Sequence, residues 1–188
     1  MSIADAVLLV IDVQRSIDEP YHAKDGPRNN PDAEQTIAAL LALWRERRAP
    51  VIHIRHDSTD PHSAYRPGQP GNDFKPEVAP RDGETVIPKR TNSAFIGTDL
   101  AGRLRTLGRN ALVICGVSTN NSVEATVRMA GNLGYETYLV QEACFTFARV
   151  DFNGVLRSAE EVHAMSLANL DGEYCKVVDA HHVRAAFD

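Results

Sequence analysis

The sequence predicts an α/β fold: a three-layer α/β/α sandwich on an open, mainly parallel sheet of about six strands. Three observations carry that prediction. Short apolar runs recur along the chain, each suited to a strand buried on both faces. Helical periods lie between the runs, so strands and helices alternate. The 188 residues show no composition break, internal repeat or low-complexity tract, so residues 1–188 read as one domain.

The elements follow in order. Residues 6–12 are a continuous apolar run that ends in a carboxylate, Asp12. Similar runs lie at 50–54, 111–115, 136–140 and 174–178, with a shorter one at 85–87 ahead of Pro88. Asn30 can cap a helix with Pro31 at its first position. Ile37, Leu40, Leu41 and Trp44 then recur on one face of that helix. Thr98 can cap a second helix, whose Leu100, Leu104 and Leu107 share a face. Val123, Thr126, Val127 and Ala130 form the stripe of a third, ended by Gly134. Ser158 and Glu161 have capping-box spacing ahead of Val162 and Met165. Residues 58–83 are rich in Pro, Gly, Asp and His, and a loop of that length is more often functional than a linker.

Composition narrows the function classes. Hydrophobic residues are 43% and charged residues 24%, with a net charge of −5. No basic stripe stands out, which argues against nucleic acid as a partner. The longest apolar run, at 6–11, is far short of the roughly 18 residues of a membrane span. No basic segment followed by an apolar one opens the chain, and Cys115, Cys144 and Cys175 fit no metal or redox spacing. The expectation is a cytoplasmic protein with reduced thiols. His53, His56 and His62 do not have zinc-ligand spacing, and no glycine-rich phosphate loop follows a strand. No metal and no cofactor are expected.

Ligands of open α/β sheets bind beyond the carboxyl ends of the strands. That rule selects Asp12, Lys89 and residues 116–122, which are distant in sequence. Each has an ordinary reading beside a chemical one. Asp12 is either a partly desolvated functional carboxylate or a surface carboxylate capping the next turn. Lys89 is either a solvated lysine beside Arg90 or the charge that keeps Asp12 ionised. Ser122 stands where a helix should begin. It is either an N-cap or a reactive group near N–H donors that bind an oxyanion. Thr119, Asn120 and Asn121 also read as loop and cap residues.

Taken together, three ordered segments resemble the isochorismatase-like, or cysteine hydrolase, superfamily. Val7-Leu-Leu-Val-Ile-Asp12-Val-Gln14 is similar to its apolar strand ending in D-x-Q. Lys89-Arg-Thr-Asn-Ser-Ala-Phe95-Ile-Gly-Thr98 resembles its K-x-x-x-S-A-F-x-G-T segment. Gly116-Val-Ser-Thr119-Asn-Asn-Ser122-Val-Glu-Ala-Thr126, with Gly134-Tyr135, resembles its G-V-x-T-x-x-C-V-x-x-T…G-Y signature. The match runs over nearly the whole chain and implies a Rossmann-like fold.

The resemblance implies an Asp-Lys-Cys mechanism on a small amide, carbamoyl compound, ureide or lactam. Asp12 and Lys89 fill the first two catalytic places, and Ser122 stands where the family has its nucleophilic cysteine. The resemblance also implies a cis Val117–Ser118 peptide and an oxyanion hole made by the N–H groups of Ser118 and Ser122. Gln14, Tyr21, Phe95, Val117 and Asn121 are the implied substrate-binding residues, with the 58–83 loop beside them. The Asp and two His of the nicotinamidase metal site are not reproduced, so neither a metal nor nicotinamide is expected. A homo-oligomer, dimer or tetramer, is implied as well. A serine hydroxyl is far less acidic than a thiol, and a carboxylate is a poor base for it. Ser122 therefore reads as a cysteine-to-serine substitution, introduced in the laboratory, that leaves the chain slow or inactive. Natural, slow serine chemistry is a further explanation of the same residue. The alternatives are vinyl-ether hydrolysis by Asp12 without a nucleophile, as in isochorismatases, and a binding protein that has lost its chemistry.

Overall fold

A computed structural model of the chain describes residues 3–187. All six expected strands form, and they make one wholly parallel sheet. In chain order these are β1 (Val7–Ile11), β2 (Val51–His56), β3 (Thr85–Lys89), β4 (Ala111–Val117) and β5 (Glu136–Phe145). A separate antiparallel hairpin follows, β6 (Arg149–Val150) with β7 (Leu156–Arg157), and then the sixth sheet strand, β8 (Lys176–Val178). The sheet order is β3-β2-β1-β4-β5-β8. All five residues of β1 are buried, because strands flank it on both sides and helices cover both faces.

Five helices complete the layers: α1 (Ala33–Glu46), α2 (Leu100–Thr106), α3 (Glu124–Asn132), α4 (Ala159–Ala168) and α5 (Ala180–Ala185). α1 and α5 touch each other and pack on β5. The β4–α3–β5 connection moves along the sheet in the opposite direction from β1–α1–β2, so right-handed crossovers put α3 on the opposite face. Ile37, Leu40, Leu41 and Trp44 of α1 are buried as expected, and the Trp44 indole N–H donates to the Ala6 carbonyl at 3.0 Å. No helix among the described residues is long and apolar enough to cross a membrane.

Several local expectations need correction. Asn30 does not cap α1; Asp32 holds that position. Asn30 takes a positive φ of 44° and its amide donates to the Gln141 and Cys144 carbonyls of β5. A side chain that short cannot serve both a cap and a strand. The residue capping α2 by position is Asp99, although the Thr98 hydroxyl accepts from the Leu100 N–H. Leu107 lies past the end of α2 and is exposed, whereas Leu100 and Leu104 are buried. The Ser158–Glu161 capping box is present, but α4 buries Ala159, His163 and Ser166 and turns Met165 outward. The β6–β7 hairpin and α5 carried no periodic signal that would have announced them.

Gly116 shows why β4 needs glycine. It has φ of +128°, and a Cβ there would lie 2.2 Å from the Ile11 carbonyl oxygen. Gly116→Ala should therefore push β1 and β4 apart and cost about 3 kcal/mol or more. Urea denaturation measures this, and an unchanged midpoint would contradict it.

Glu34, in the first turn of α1, accepts two hydrogen bonds from Arg28 and one from Lys75. Burial pushes its carboxyl up, but Arg28 and Lys75 more than offset this and hold it at about 2. The folded value lies below the ordinary 4.5, so its stabilisation is complete above about pH 4.5 and fades as pH falls toward 2. Glu34→Gln should flatten the loss of stability across that window, measured by urea midpoints at several pH values. An equally steep loss in the variant would contradict the assignment.

Candidate active site

The strand order reverses between β1 and β4, and chain segments leaving those two strands diverge to leave a crevice. Asp12 follows β1 directly, with a left-handed φ of 53°, which an aspartate tolerates better than a bulky residue. Lys89 ends β3, two strands away, across the end of β2. Two strand spacings amount to about 10 Å, so only a long side chain reaches. Ser122 comes from the other side, in a π-helical turn (Thr119–Val123) that joins β4 to α3.

The three meet. The Lys89 ammonium donates to Asp12 Oδ2 at 2.6 Å, to Ser122 Oγ at 3.2 Å and to the Thr91 carbonyl at 3.0 Å. Those bonds use all three ammonium protons, which is how a lysine only 1% exposed is tolerated as a cation. Asp12 Oδ1, by contrast, is buried without a hydrogen-bond partner. Burial raises the Asp12 carboxyl above the ordinary carboxylate range; Lys89, the Ser122 hydroxyl and His56 pull it back only in part. The result is a carboxylate with one oxygen locked to lysine and one free to take a proton.

The π-helical turn is held from two directions. The Thr126 hydroxyl donates to the Ser122 carbonyl at 2.7 Å and accepts from the Ala94 N–H at 3.0 Å, tying the turn to the loop after β3. From α4, the single Ser166 hydroxyl proton is shared between the Glu124 carboxylate at 2.6 Å and the Thr119 carbonyl at 3.2 Å, and His163 Nδ1 pairs with the Thr119 hydroxyl at 2.8 Å. This explains the polar buried face of α4: a turn that departs from α geometry leaves backbone groups for side chains to satisfy. The peptide bond between Val117 and Ser118 is cis.

A cavity of about 230 Å³ opens over Asp12 and Ser122. Of the other sequence-selected residues, Tyr21, Val117, Ser118 and Asn121 lie on its wall. Two do not. Gln14 is wholly buried as a strut: its Oε1 accepts from the His56 N–H at 2.7 Å, and its Nε2 donates to the His56 and Asn72 carbonyls. With both ends of its amide committed, it has nothing left for a substrate. Phe95 is half-buried and packs on Tyr135, with ring centroids 5.5 Å apart, against the edge of the core. His22, His56, Tyr65 and Asn92 also line the cavity and were missed. Tyr65 lay within the 58–83 loop, where Asn72 now fixes its position by donating to its carbonyl at 2.8 Å. An aromatic residue in an otherwise mostly polar loop was the available signal. Among the described residues, no three His, Cys, Asp or Glu side chains gather closely enough for a metal ion.

Residues 6–182 match the isochorismatase domain. The chain belongs to the isochorismatase family. This family member is 40% identical over 171 residues to YrdC, an uncharacterised isochorismatase-family protein of Bacillus subtilis, covering 91% of this chain and 90% of that one. An isochorismatase-family crystal structure from Chromobacterium violaceum superposes with a TM-score of 0.94 at 61% identity, covering 97% of this chain and 93% of the other. Maleamate amidohydrolase of Pseudomonas putida is 29% identical over 185 residues, 91% of this chain and 81% of its own length. The three sequence segments that carried the resemblance are the three that meet at Asp12, Lys89 and Ser122.

Proposed function

We propose that this isochorismatase-family chain is built to hydrolyse the C–N bond of a small amide-type substrate, with position 122 as the attacking atom. The observation that carries the reading is the single lysine bridging a carboxylate and a hydroxyl on one cavity wall. The name of the amidohydrolase relative agrees with it.

With cysteine at position 122, Asp12 takes the thiol proton on its free oxygen while Lys89 stabilises the charges. The thiolate attacks the amide carbonyl carbon, and the N–H groups of Ser118 and Ser122 hold the developing oxyanion. Asp12 then returns its proton to the leaving amine. Water, deprotonated by Asp12, hydrolyses the acyl-enzyme, releases the acid and restores the thiol. Ser122 follows the same route slowly, because its hydroxyl is a much weaker acid and its base is only a carboxylate.

A vinyl-ether substrate such as isochorismate carries two carboxylates. Among the described residues, the cavity wall offers them no arginine and no uncommitted lysine. The test is a panel of small amides and isochorismate, offered to the chain and to its Ser122→Cys variant. Amide turnover by the variant supports the reading. Isochorismate turnover by both forms, or no amide turnover by either, refutes it.

A further inference from the structure

The cavity wall carries two imidazoles that the proposed mechanism does not use. His56 ends β2, where Gln14 clamps its backbone, and its ring sits edge-on to Tyr65 with centroids 5.6 Å apart. His22 meets the same tyrosine edge-on at 6.2 Å and stacks on Phe147 at 5.6 Å. Tyr65 thus contacts both rings, and all three residues line the cavity.

Both rings have hydrogen-bonding capacity to spare. His22 Nε2 and His56 Nδ1 are shielded from water and have no partner. A buried ring nitrogen left unpaired carries a desolvation cost that a hydrogen bond from a bound molecule relieves. Burial lowers the pKa of both rings, so they stand neutral near pH 7. A neutral imidazole carries one N–H and one bare nitrogen, so a buried, unpartnered ring nitrogen can donate to or accept from a bound molecule. The last torsion of a histidine is soft, so a small ring turn presents these atoms to a molecule in the cavity.

Charge and size restrict that molecule. The nearby cation, Lys89, has spent its protons on Asp12, Ser122 and Thr91. A carboxylate in the cavity would find neither a free ammonium donor nor a net positive charge, because Lys89 is already neutralised by Asp12. The 230 Å³ cavity has the room of about eight waters, below the range of drug-sized pockets.

We propose that the site takes an uncharged small amide carrying a second hydrogen-bonding group, read by His22 and His56, and rejects amides that carry a carboxylate. The inference rests on the amide reading of the site and adds the substrate class to it.

Malonamide and succinamide, each against its amic acid, are suitable probes, because each pair differs only in a distal amide or carboxylate. Binding is measured by calorimetric titration of the chain with Ser122 in place, at pH 8. At least one diamide should bind tenfold or more tightly than its amic acid. His22→Leu and His56→Leu should each weaken diamide binding at least fivefold, and His22→Gln, which keeps a hydrogen-bonding group, should recover most of the loss. In the Ser122→Cys background the leucine variants should raise KM for the diamide and leave kcat nearly unchanged.

Equal affinity within both pairs, no binding of either diamide, or unchanged diamide affinity in both leucine variants would overturn the proposal. Where a leucine variant fails to fold, the ratio within each pair decides alone. Amide turnover by Ser122→Cys with no preference between diamide and amic acid would sink the histidine pair and leave the hydrolytic reading intact. Selective diamide binding without any turnover would support the pair and sink the hydrolytic reading.

Discussion

Cysteine at position 122 should raise kcat/KM for a small neutral amide by about 10²–10⁴-fold over the serine form. The thiol starts near pKa 8.5, and an adjacent cation lowers it further. Lys89 is that cation, 3.2 Å from the atom at position 122. A serine hydroxyl gains from the same lysine but begins far higher, so most of the barrier to forming its alkoxide remains. Asp12 is matched to the thiol, because burial has already raised its carboxyl above the ordinary range. The exchange of oxygen for sulfur leaves the backbone of the π-helical turn and its Thr126 and Ser166 anchors in place. Its thermal midpoint should move by no more than about 4 °C, a change of about 1 kcal/mol for a chain of this size. Steady-state kinetics and mass spectrometry of an acyl-enzyme check the prediction. Equal turnover by the two forms would remove covalent thiol chemistry from the site. Activity of the cysteine form requires ionised Asp12. Its acid limb should therefore lie above the ordinary carboxylate value of 3.8.

The second large effect is expected from Asp12→Asn in the cysteine form. Turnover should fall by about 10³-fold or more, since an amide can neither take the thiol proton nor deprotonate water. Stability should fall too. Asp12 is the counter-charge of a wholly buried lysine, at 2.6 Å, and removing one member of a buried pair costs about 3–5 kcal/mol. In a chain of this size that amounts to roughly 10 °C in thermal midpoint. Replacing both partners, as Asp12→Asn with Lys89→Met, removes the stranded charge. The double variant should recover most of the stability and none of the activity. If the single variant kept full turnover, Asp12 would not be the base. If the double variant were no more stable than the single one, the loss would not come from an uncompensated ammonium.

The residues differ in how far they could be read in advance. Asp12 was legible because it ends an apolar run that only a buried strand explains, Lys89 because it follows the short 85–87 run, and both because ligands gather at that end of such a sheet. Ser122 was legible through the spacing of its segment, not through its own chemistry. Read locally it was an ordinary N-cap, whereas the structure places it inside a π-helical turn with its hydroxyl facing lysine. Gln14 and Phe95 came with their segments as substrate contacts, but one holds the end of β2 and the other packs on Tyr135. Belonging to the same segment as a reactive residue does not give a side chain the same direction. α4 misled for a related reason. Its apolar Met165 faces out and its polar Ser166 faces in, because the turn it covers needs donors more than it needs apolar area.

The sequence by itself determined the framework: which runs become strands, where helices alternate with them, and which three segments reach the ligand-binding edge. Those are consequences of burial and backbone satisfaction, which act over a few residues at a time. Only the tertiary structure decided that Lys89 spends every proton, that Asp12 keeps one oxygen free, and that His22, His56 and Tyr65 enclose the cavity. Such facts depend on strand order and on side-chain directions across a parallel sheet, where partners lie tens of residues apart and no local period records the distance between them.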